Sequence, residues 1–239
     1  MEPLAFISDI HGNLEALDRV LKLVDSLGID NVYCLGDLVG YGPNPGECIE
    51  LTIERCSGIV AGNHDWAVVG KTPLEDFNPV ARTAIHWTMK RLSRHQLRLL
   101  KALPLTLSLD SLFLVHSSPL MPHQWLYIMD EFSASLALER RPEKVILVGH
   151  THVPQAYREK EEKVETISFP FKLEKDARYL VNVGSVGQPR DGDPRACCVV
   201  MEEGEVRLER IPYPVQETAQ KIKERGLPSI LAYRIQEGW

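Results

Sequence analysis

The sequence has no long hydrophobic run. In 239 residues, no stretch approaches the roughly 20 apolar residues that a membrane-spanning helix needs. The chain begins Met1-Glu2-Pro3, without a basic segment, and the apolar run behind it already ends at Ser8-Asp9. That pattern is typical of a strand and not of a secretory leader. We therefore expect a cytoplasmic protein with no membrane partner.

Cysteine and positive charge are also scarce. The five cysteines are odd in number and mostly lie in apolar segments, so we interpret them as reduced core residues. Lysine and arginine number 27 against 33 aspartates and glutamates, a formal net charge of −6. This balance argues against a nucleic-acid partner, although it allows a local positive site. The sequence makes no prediction of the oligomeric state.

The chain alternates strand and helix patterns over its first sixty residues. Residues 4–8, 32–35 and 58–61 are short apolar runs, and residues 14–27 place apolar side chains at helical spacing. A glycine- and proline-rich loop covers residues 36–46. Strand and helix alternation of this kind predicts an α/β fold.

Residues 66–104 have a different pattern, which predicts a helical insertion between two strands. Asn78-Pro79 is a favourable helix start, with a capping residue followed by proline in the first turn. Ser93 with Gln96 has the spacing of a capping box for a second helix. The path of this insertion does not follow from the sequence.

Short strand patterns predominate from Leu105 onward. A final helix is expected at about residues 215–225, whereas the role of residues 228–239 stays open. No repeat, low-complexity segment or linker is long enough to divide the chain. We therefore predict a single domain over residues 1–239.

A residue that can bind a metal or transfer a proton follows each short apolar run. These residues are Asp9 and His11, Asp37, Asn63 with His64 and Asp65, His116, and His150 with His152. In open α/β sheets, ligands collect at the carboxyl ends of the strands. A spacing of two residues would point both side chains of a pair to one side of an extended backbone. Alone, the Asp9 pair or Asp37 is more often part of an ordinary turn, and His116 is more often a buried, hydrogen-bonded histidine. Five such motifs together indicate a shared site.

In order and spacing, these motifs resemble those of the calcineurin-like metallophosphoesterases. They extend from residue 9 to residue 152, and the segment Asn182–Arg190 resembles one found in small bacterial members of phosphodiesterase type. The resemblance implies an α/β fold of two facing mixed β-sheets flanked by helices. The site would lie at the ends of the strands.

The resemblance also implies two metal ions that share one carboxylate. One ion would be held by Asp9, His11, Asp37 and His152, and the other by Asp37, Asn63, His116 and His150. Imidazole and carboxylate donors without thiolate suit manganese, iron, zinc, nickel or cobalt better than magnesium. We therefore expect two divalent transition-metal ions. Their charge exceeds that of two carboxylates and would attract phosphate to an acidic protein.

The activity implied by the resemblance is hydrolysis of phosphate esters, with a hydroxide that bridges the metals as the nucleophile. By analogy we expect phosphodiesters or nucleotide-type substrates ahead of monoesters. His64 would stabilise the transition state and protonate the departing oxygen, with Asp65 orienting its ring. A packing role is the alternative for His64. The alternative functions are a phosphomonoesterase, a nuclease and a non-catalytic protein-binding scaffold of the kind found in the retromer complex.

The sequence also offers candidates for contacts with the substrate. The segment after Asp37 lacks the Asp-Arg pair with which phosphoprotein phosphatases of this superfamily bind phosphate. Arg190 or Arg195 could replace it, or both could pair with neighbouring aspartates on the surface. Tyr41 could stack on a base or cover its loop. Trp125 could contact a nucleoside or aryl group, or be buried.

Overall fold

Two six-stranded sheets form the centre of the computed structural model, which describes residues 2–239. The strands are β1 (Leu4–Ile7), β2 (Asn31–Cys34), β3 (Gly58–Ile59), β4 (Thr106–Leu109), β5 (Leu112–Val115), β6 (Val145–Val148), β7 (Gln155–Lys160), β8 (Lys163–Ile167), β9 (Phe171–Lys172), β10 (Arg178–Asn182), β11 (Ala196–Glu202) and β12 (Glu205–Ile211). The helices are α1 (Leu14–Ser26), α2 (Pro45–Arg55), α3 (Asn63–Val68), α4 (Pro79–Met89), α5 (Arg94–Ala102), α6 (Glu131–Arg140), α7 (Val215–Glu224) and α8 (Ser229–Glu237). Short 3-10 turns occur at Leu74–Asp76 and Pro122–Gln124.

Both sheets mix parallel and antiparallel pairs. The first has the order β3-β2-β1-β11-β12-β9, and β1, β2 and β3 run parallel. The second has the order β4-β5-β6-β10-β7-β8, and β5, β6 and β10 run parallel. Ile7 pairs with Cys34, and Leu114 pairs with Leu147. Neighbouring parallel strands therefore end level with one another, and the loops after them share one edge of each sheet.

The sheets pack face to face, with helices on both outer sides. Phe6 of β1 points into the core between the sheets, whereas its neighbours Ala5 and Ile7 pack on the helix side. This alternation follows from the two-residue period of a strand. Helix α6 covers the outer side of the second sheet through Ala134 and Leu138. The predicted α/β fold of two facing mixed sheets flanked by helices is confirmed.

Both helices predicted within residues 66–104 are present. The side chain of Asn78 accepts a hydrogen bond from Ala81 N at 3.0 Å and begins α4. Ser93 and Gln96 form the predicted capping box at the start of α5, with Gln96 N donating to Ser93 Oγ at 3.2 Å. Each cap satisfies backbone N–H groups that have no partner within the helix.

Four features of the second half were not predicted from the sequence. They are helix α6, helix α8, strand β9 and the hairpin formed by β7 and β8. Asp130 caps α6 by accepting a hydrogen bond from Ser133 N at 2.7 Å. A helix is present at the predicted position as α7, but it is not the last one, because α8 follows it. No helix within residues 2–239 combines the length and the apolar character needed to cross a membrane.

Candidate metal centre

The loops at the carboxyl ends of the strands bring the predicted metal ligands together. Asp9 and His11 follow β1, Asp37 follows β2, Asn63 begins α3, His116 follows β5, and His150 and His152 follow β6. All of them are buried except Asn63, which is partly exposed. Their donor atoms group into overlapping sets whose members lie within 4.8 Å of one another. The sets are Asp9, His11 and His152; Asp37, His116 and His150; and His11, Asp37 and His64.

Asp37 lies close to both His11 and His116. Its Oδ2 is 3.6 Å from His11 Nε2 and 3.5 Å from His116 Nε2. Its Oδ1 accepts a hydrogen bond from the backbone N–H of His64 at 2.8 Å. One oxygen therefore fixes the carboxylate to the backbone, and the other faces histidines on both sides.

Asp9 divides its two oxygens in the same way. Oδ2 accepts a hydrogen bond from the backbone N–H of His150 at 3.0 Å. Oδ1 is buried without a hydrogen-bond partner and lies 3.2 Å from His152 Nε2. A buried carboxylate oxygen without a donor is costly unless a cation compensates it.

Backbone carbonyls orient the four histidines of the predicted ligand set. A carbonyl can only accept, so the ring nitrogen that faces it carries the proton. The contacts are His11 Nδ1 to Val39 O at 2.9 Å, His116 Nδ1 to Leu35 O at 2.6 Å, His152 Nδ1 to Gln188 O at 2.6 Å, and His150 Nε2 to Trp125 O at 2.8 Å. Three rings therefore present Nε2 to the cluster, whereas His150 is left with Nδ1.

The facing nitrogens of His11 and His152 fit a bound cation. Burial lowers the pKa of both rings, so both are neutral at neutral pH. Because each donates from Nδ1, two Nε2 lone pairs face each other at 3.1 Å. That arrangement is repulsive unless a cation binds both nitrogens. With the unpaired oxygen of Asp9 nearby, this donor set fits a divalent transition metal.

Charge within the cluster shifts the pKa values of its members. Burial would raise the pKa of Asp37, but His116 and His64 lower it more, to well below the usual range. Burial lowers the pKa of His116, yet Asp37 and Asp9 raise it to about 9. The two carboxylates therefore favour the protonated form of the His116 ring. A divalent ion would displace its proton.

Left-handed backbone directs most of these side chains inward. Five predicted ligands have positive φ: Asp9 (53°), His11 (49°), Asp37 (53°), His150 (70°) and His152 (62°). We expected extended backbone to align the members of each pair, and that reasoning was wrong. Such residues cost about 1–3 kcal/mol each and concentrate at functional sites.

The segment Asn182–Arg190 supports these strained loops. Ser185 Oγ donates to Asp9 O at 2.8 Å, and Asn182 Nδ2 donates to Gly149 O at 2.7 Å. Gly149 admits no side chain, because a Cβ there would lie 2.1 Å from Ser8 Oγ. The hydrogen bonds of Ser185 and Asn182 explain why a segment distant in sequence accompanies the motifs.

Asp65 does not contact the His64 ring, so its predicted role in orienting that ring is corrected. Its Oδ2 accepts from the N–H groups of Asp37 and Gly62 at 2.8 and 3.0 Å, and its Oδ1 from those of Leu38 and Val39 at 2.9 and 3.3 Å. Burial and the charge of Asp37 raise the pKa of Asp65 to about 7, against the lowering effect of these donors. Asp65 holds the Asp37 loop in place.

Aromatic rings surround His64 instead. Its ring centroid lies 4.6 Å from that of Tyr41, 5.0 Å from that of Phe77 and 4.8 Å from that of His11. Gly40 allows this packing, because a Cβ there would lie 2.5 Å from His64 Nδ1. Burial lowers the pKa of His64 to about 4, so the ring is neutral at neutral pH.

A cavity of about 240 Å³ opens over the cluster. Its floor includes Asp37, Asn63, His64, His150 and His152. Its walls come from the helical insertion, the loop after β5, Tyr41 and Arg190. The wall residues from the first two segments are Thr72, Asp76, Phe77, Asn78, Ala81, Gln124, Trp125 and Tyr127.

The two arginines have different positions. Arg195 forms an ion pair with Asp193 on the surface at 2.6 Å, which was the alternative to a substrate contact. Arg190 lines the cavity, donates to Gln188 Oε1 at 2.9 Å and lies 5.7 Å from the ring centroid of Tyr41. Tyr41 is buried beside His11 and His64 and also lines the cavity.

Trp125 is built into the wall. Its Nε1 donates to Thr72 Oγ1 at 3.1 Å, which joins the loop after β5 to the insertion. Its ring packs edge-on against Trp66 and His116 at centroid distances of 5.5 and 6.0 Å. These contacts half-bury Trp125, and the residue also lines the cavity, so the structure is compatible with both alternatives.

Sequence reasoning missed two aromatic wall residues, Phe77 and Tyr127. Tyr127 stacks on the His150 ring at a centroid distance of 4.1 Å and an interplanar angle of 15°, and it is 54% exposed. The only sign in the sequence that Tyr127 lies near the site is its position two residues after Trp125. Nothing in the sequence indicates that Phe77 lies near the site, because Phe77 belongs to the insertion, whose path depends on contacts between segments far apart in sequence.

Comparison with known proteins gives consistent matches over nearly the whole chain. The profile of the calcineurin-like phosphoesterase superfamily domain matches residues 3–205. An uncharacterized protein of Methanocaldococcus jannaschii is 37% identical over 238 residues, covering 97% of this chain and 96% of the relative. Phosphodiesterase YfcE of Escherichia coli is 26% identical over 204 residues, covering 81% and 84% of the two chains.

Solved structures agree with the sequence matches. A metallophosphoesterase from Sphaerobacter thermophilus is 39% identical to this chain, with a TM-score of 0.87 and coverage of 99% of both chains. Its fold agrees with the two mixed sheets and their helices described above. The chain belongs to the calcineurin-like phosphoesterase superfamily.

Proposed function

We propose that the protein hydrolyses phosphate esters at two divalent transition-metal ions, with phosphodiesters or nucleotide-type substrates ahead of monoesters. The observation that carries this proposal is the position of Asp37 Oδ2, at 3.6 and 3.5 Å from inward-facing nitrogens of His11 and His116. A carboxylate oxygen between two sets of nitrogen donors is suited to bridging two ions.

The residues that would hold each ion follow from the same grouping. One ion would be held by Asp9, His11, Asp37 and His152, and the other by Asp37, Asn63, His116 and His150. Two such ions supply an activated water and neutralise charge on the phosphoryl oxygens. The donor set contains no thiolate and fits manganese, iron, zinc, nickel or cobalt.

His64 would act on the departing oxygen. Its ring lines the cavity and is neutral in the free protein, since its pKa is about 4. An anionic substrate beside the ring would raise that pKa and favour proton donation. Arg190, which also lines the cavity, would contact the phosphoryl group in place of the missing Asp-Arg pair.

The preference for diesters is supported by the name of the Escherichia coli relative and by the aromatic walls. YfcE is named a phosphodiesterase, and it matches 81% of this chain. Phe77, Trp125 and Tyr127 offer apolar surface that the organic groups of a diester can contact. A monoester of a small alcohol would cover less of this surface.

Turnover of matched aryl esters tests this function. The protein is chelated, and Mn²⁺, Ni²⁺, Zn²⁺ or Mg²⁺ is then added with bis(p-nitrophenyl) phosphate or p-nitrophenyl phosphate. We expect transition metals to restore turnover, with the diester ahead of the monoester, and His64→Ala to reduce it. A higher rate for the monoester would indicate a phosphomonoesterase. No turnover despite bound metal would favour a protein-binding scaffold.

A further inference from the structure

The cavity has two aromatic walls, Phe77 and Tyr127, which pack on different histidines. Phe77 lies against His64, which groups with His11 and Asp37. Tyr127 lies on His150, which groups with Asp37 and His116. Asp37 is common to both groups, and the two aromatic walls contact different histidines around it.

The proposed reaction assigns the first wall to the departing group. In an in-line displacement, the departing oxygen lies opposite the attacking one. His64 is the proton donor of the proposed function, so the departing group must lie beside His64 and Phe77. The second ester group of a diester stays on phosphorus at a large angle to this line, and it is therefore directed away from His64.

Tyr127 has the open surface that such a retained group requires. One face of its ring is covered by His150 at 4.1 Å, yet 54% of the residue is exposed. Trp125 also lines the cavity but has less open surface, because it is half-buried against Trp66, His116 and Thr72. Arg190 and Gln124 line the same cavity and add polar groups to its walls.

We propose that Tyr127 is the binding surface for the retained group of a phosphodiester, and that this group is planar, such as an aryl ring or a nucleobase. This inference rests on the proposed function and extends it from a general diester to one with an aromatic group on the retained side. Stacking of a base on an aromatic side chain changes affinity by about 5- to 150-fold.

Substrates with one departing group and different retained groups isolate this contact. The substrates are methyl p-nitrophenyl phosphate, phenyl p-nitrophenyl phosphate and thymidine 5′-(p-nitrophenyl phosphate). All three release p-nitrophenol, so their leaving group is the same. We expect the wild-type protein to show higher kcat/KM for the phenyl and thymidine esters than for the methyl ester. Tyr127→Ala should lower the phenyl-to-methyl ratio about ten-fold, and Tyr127→Phe should retain it.

A binding measurement checks the same contact without turnover. Phenylphosphonate and methylphosphonate carry the retained group directly on phosphorus and cannot release an alcohol. Titration calorimetry should show tighter binding of phenylphosphonate, and Tyr127→Ala should remove most of the difference. Phe132→Ala is the matched control, because Phe132 is an aromatic residue at the start of α6 that is 72% exposed and does not line the cavity.

The outcomes separate this inference from the proposed function. An unchanged phenyl-to-methyl ratio in Tyr127→Ala would overturn the role of Tyr127 and leave the phosphodiesterase intact. An equal fall for all esters, with reduced metal content, would also overturn it and assign Tyr127 to the support of His150. No turnover of any ester by the metal-loaded wild type would refute both.

Discussion

Replacing Asp65 by asparagine should destabilise the fold, because the carboxylate accepts four backbone hydrogen bonds. The amide keeps one oxygen and places an NH₂ group against the N–H donors that the other oxygen served. Two buried N–H groups then lose their acceptor. At about 1–3 kcal/mol for each, the free energy of unfolding should fall by about 2–6 kcal/mol.

Urea unfolding of the chelated protein at pH 8 measures this loss. The pH lies above the pKa of Asp65, about 7, so the wild-type carboxylate is ionised. Asp18→Asn is the matched control, since Asp18 is exposed and pairs with Lys22 one helical turn away. That change should stay within about 0.5 kcal/mol of the wild type.

The two roles of Asp65 predict different results. A carboxylate that holds the Asp37 loop predicts lower stability and weaker metal binding together. A carboxylate that orients His64 predicts wild-type stability with a loss of turnover equal to that of His64→Ala. The second result would refute the reasoning from the backbone contacts.

Three further changes separate catalysis, metal binding and folding. His64→Ala should lower kcat for the aryl diester by about 10²- to 10⁴-fold while the bound metal, measured by mass spectrometry, stays unchanged. Gly62→Ala should reduce bound metal, because its Cβ would lie 2.1 Å from Asp37 Oδ1, whereas Gly70→Ala has no atom within 4 Å and should retain metal. Ser93→Ala should lower the free energy of unfolding by about 1 kcal/mol through loss of the α5 cap, with no effect on turnover.

Each of these three predictions has a contradicting result. Wild-type turnover in His64→Ala would leave that residue with a packing role. Equal metal content in Gly62→Ala and Gly70→Ala would show that the Asp37 carboxylate tolerates displacement. Unchanged stability in Ser93→Ala would mean that the α5 cap contributes nothing measurable.

The sequence predicted that the motif residues lie at the ends of the strands, because that position depends only on where each strand ends and on how neighbouring strands pair. Short apolar runs identified the strands, and parallel strands such as β1 and β2 end level with each other. The residues after them, including Asp9 and Asp37, had to lie near one edge. The caps at Asn78 and Ser93 depend on local hydrogen bonds and were equally predictable.

Side-chain directions within the site could not be predicted in the same way. Asp65 follows His64 directly, which suggested a contact, but both lie in α3 and consecutive helical residues do not face each other. The carboxylate turns back to Gly62 N, three residues earlier. The left-handed backbone at the ligands was also unpredictable, because contacts from Asn182 and Ser185 hold it.

The aromatic walls depend on contacts between segments far apart in sequence. Trp125 Nε1 bonds to Thr72, and His150 Nε2 bonds to Trp125 O. These contacts determine where the insertion and the loop after β5 lie over the cluster. That the chain forms one domain stays a prediction.

A crystal structure of the Mn²⁺-loaded protein, with anomalous scattering recorded at the manganese edge, tests the central claim most directly. Two ions that share Asp37 should appear as two anomalous peaks about 3.5–4 Å apart, one on each side of the Asp37 carboxylate. A single peak, or two peaks of which only one contacts Asp37, would contradict the account.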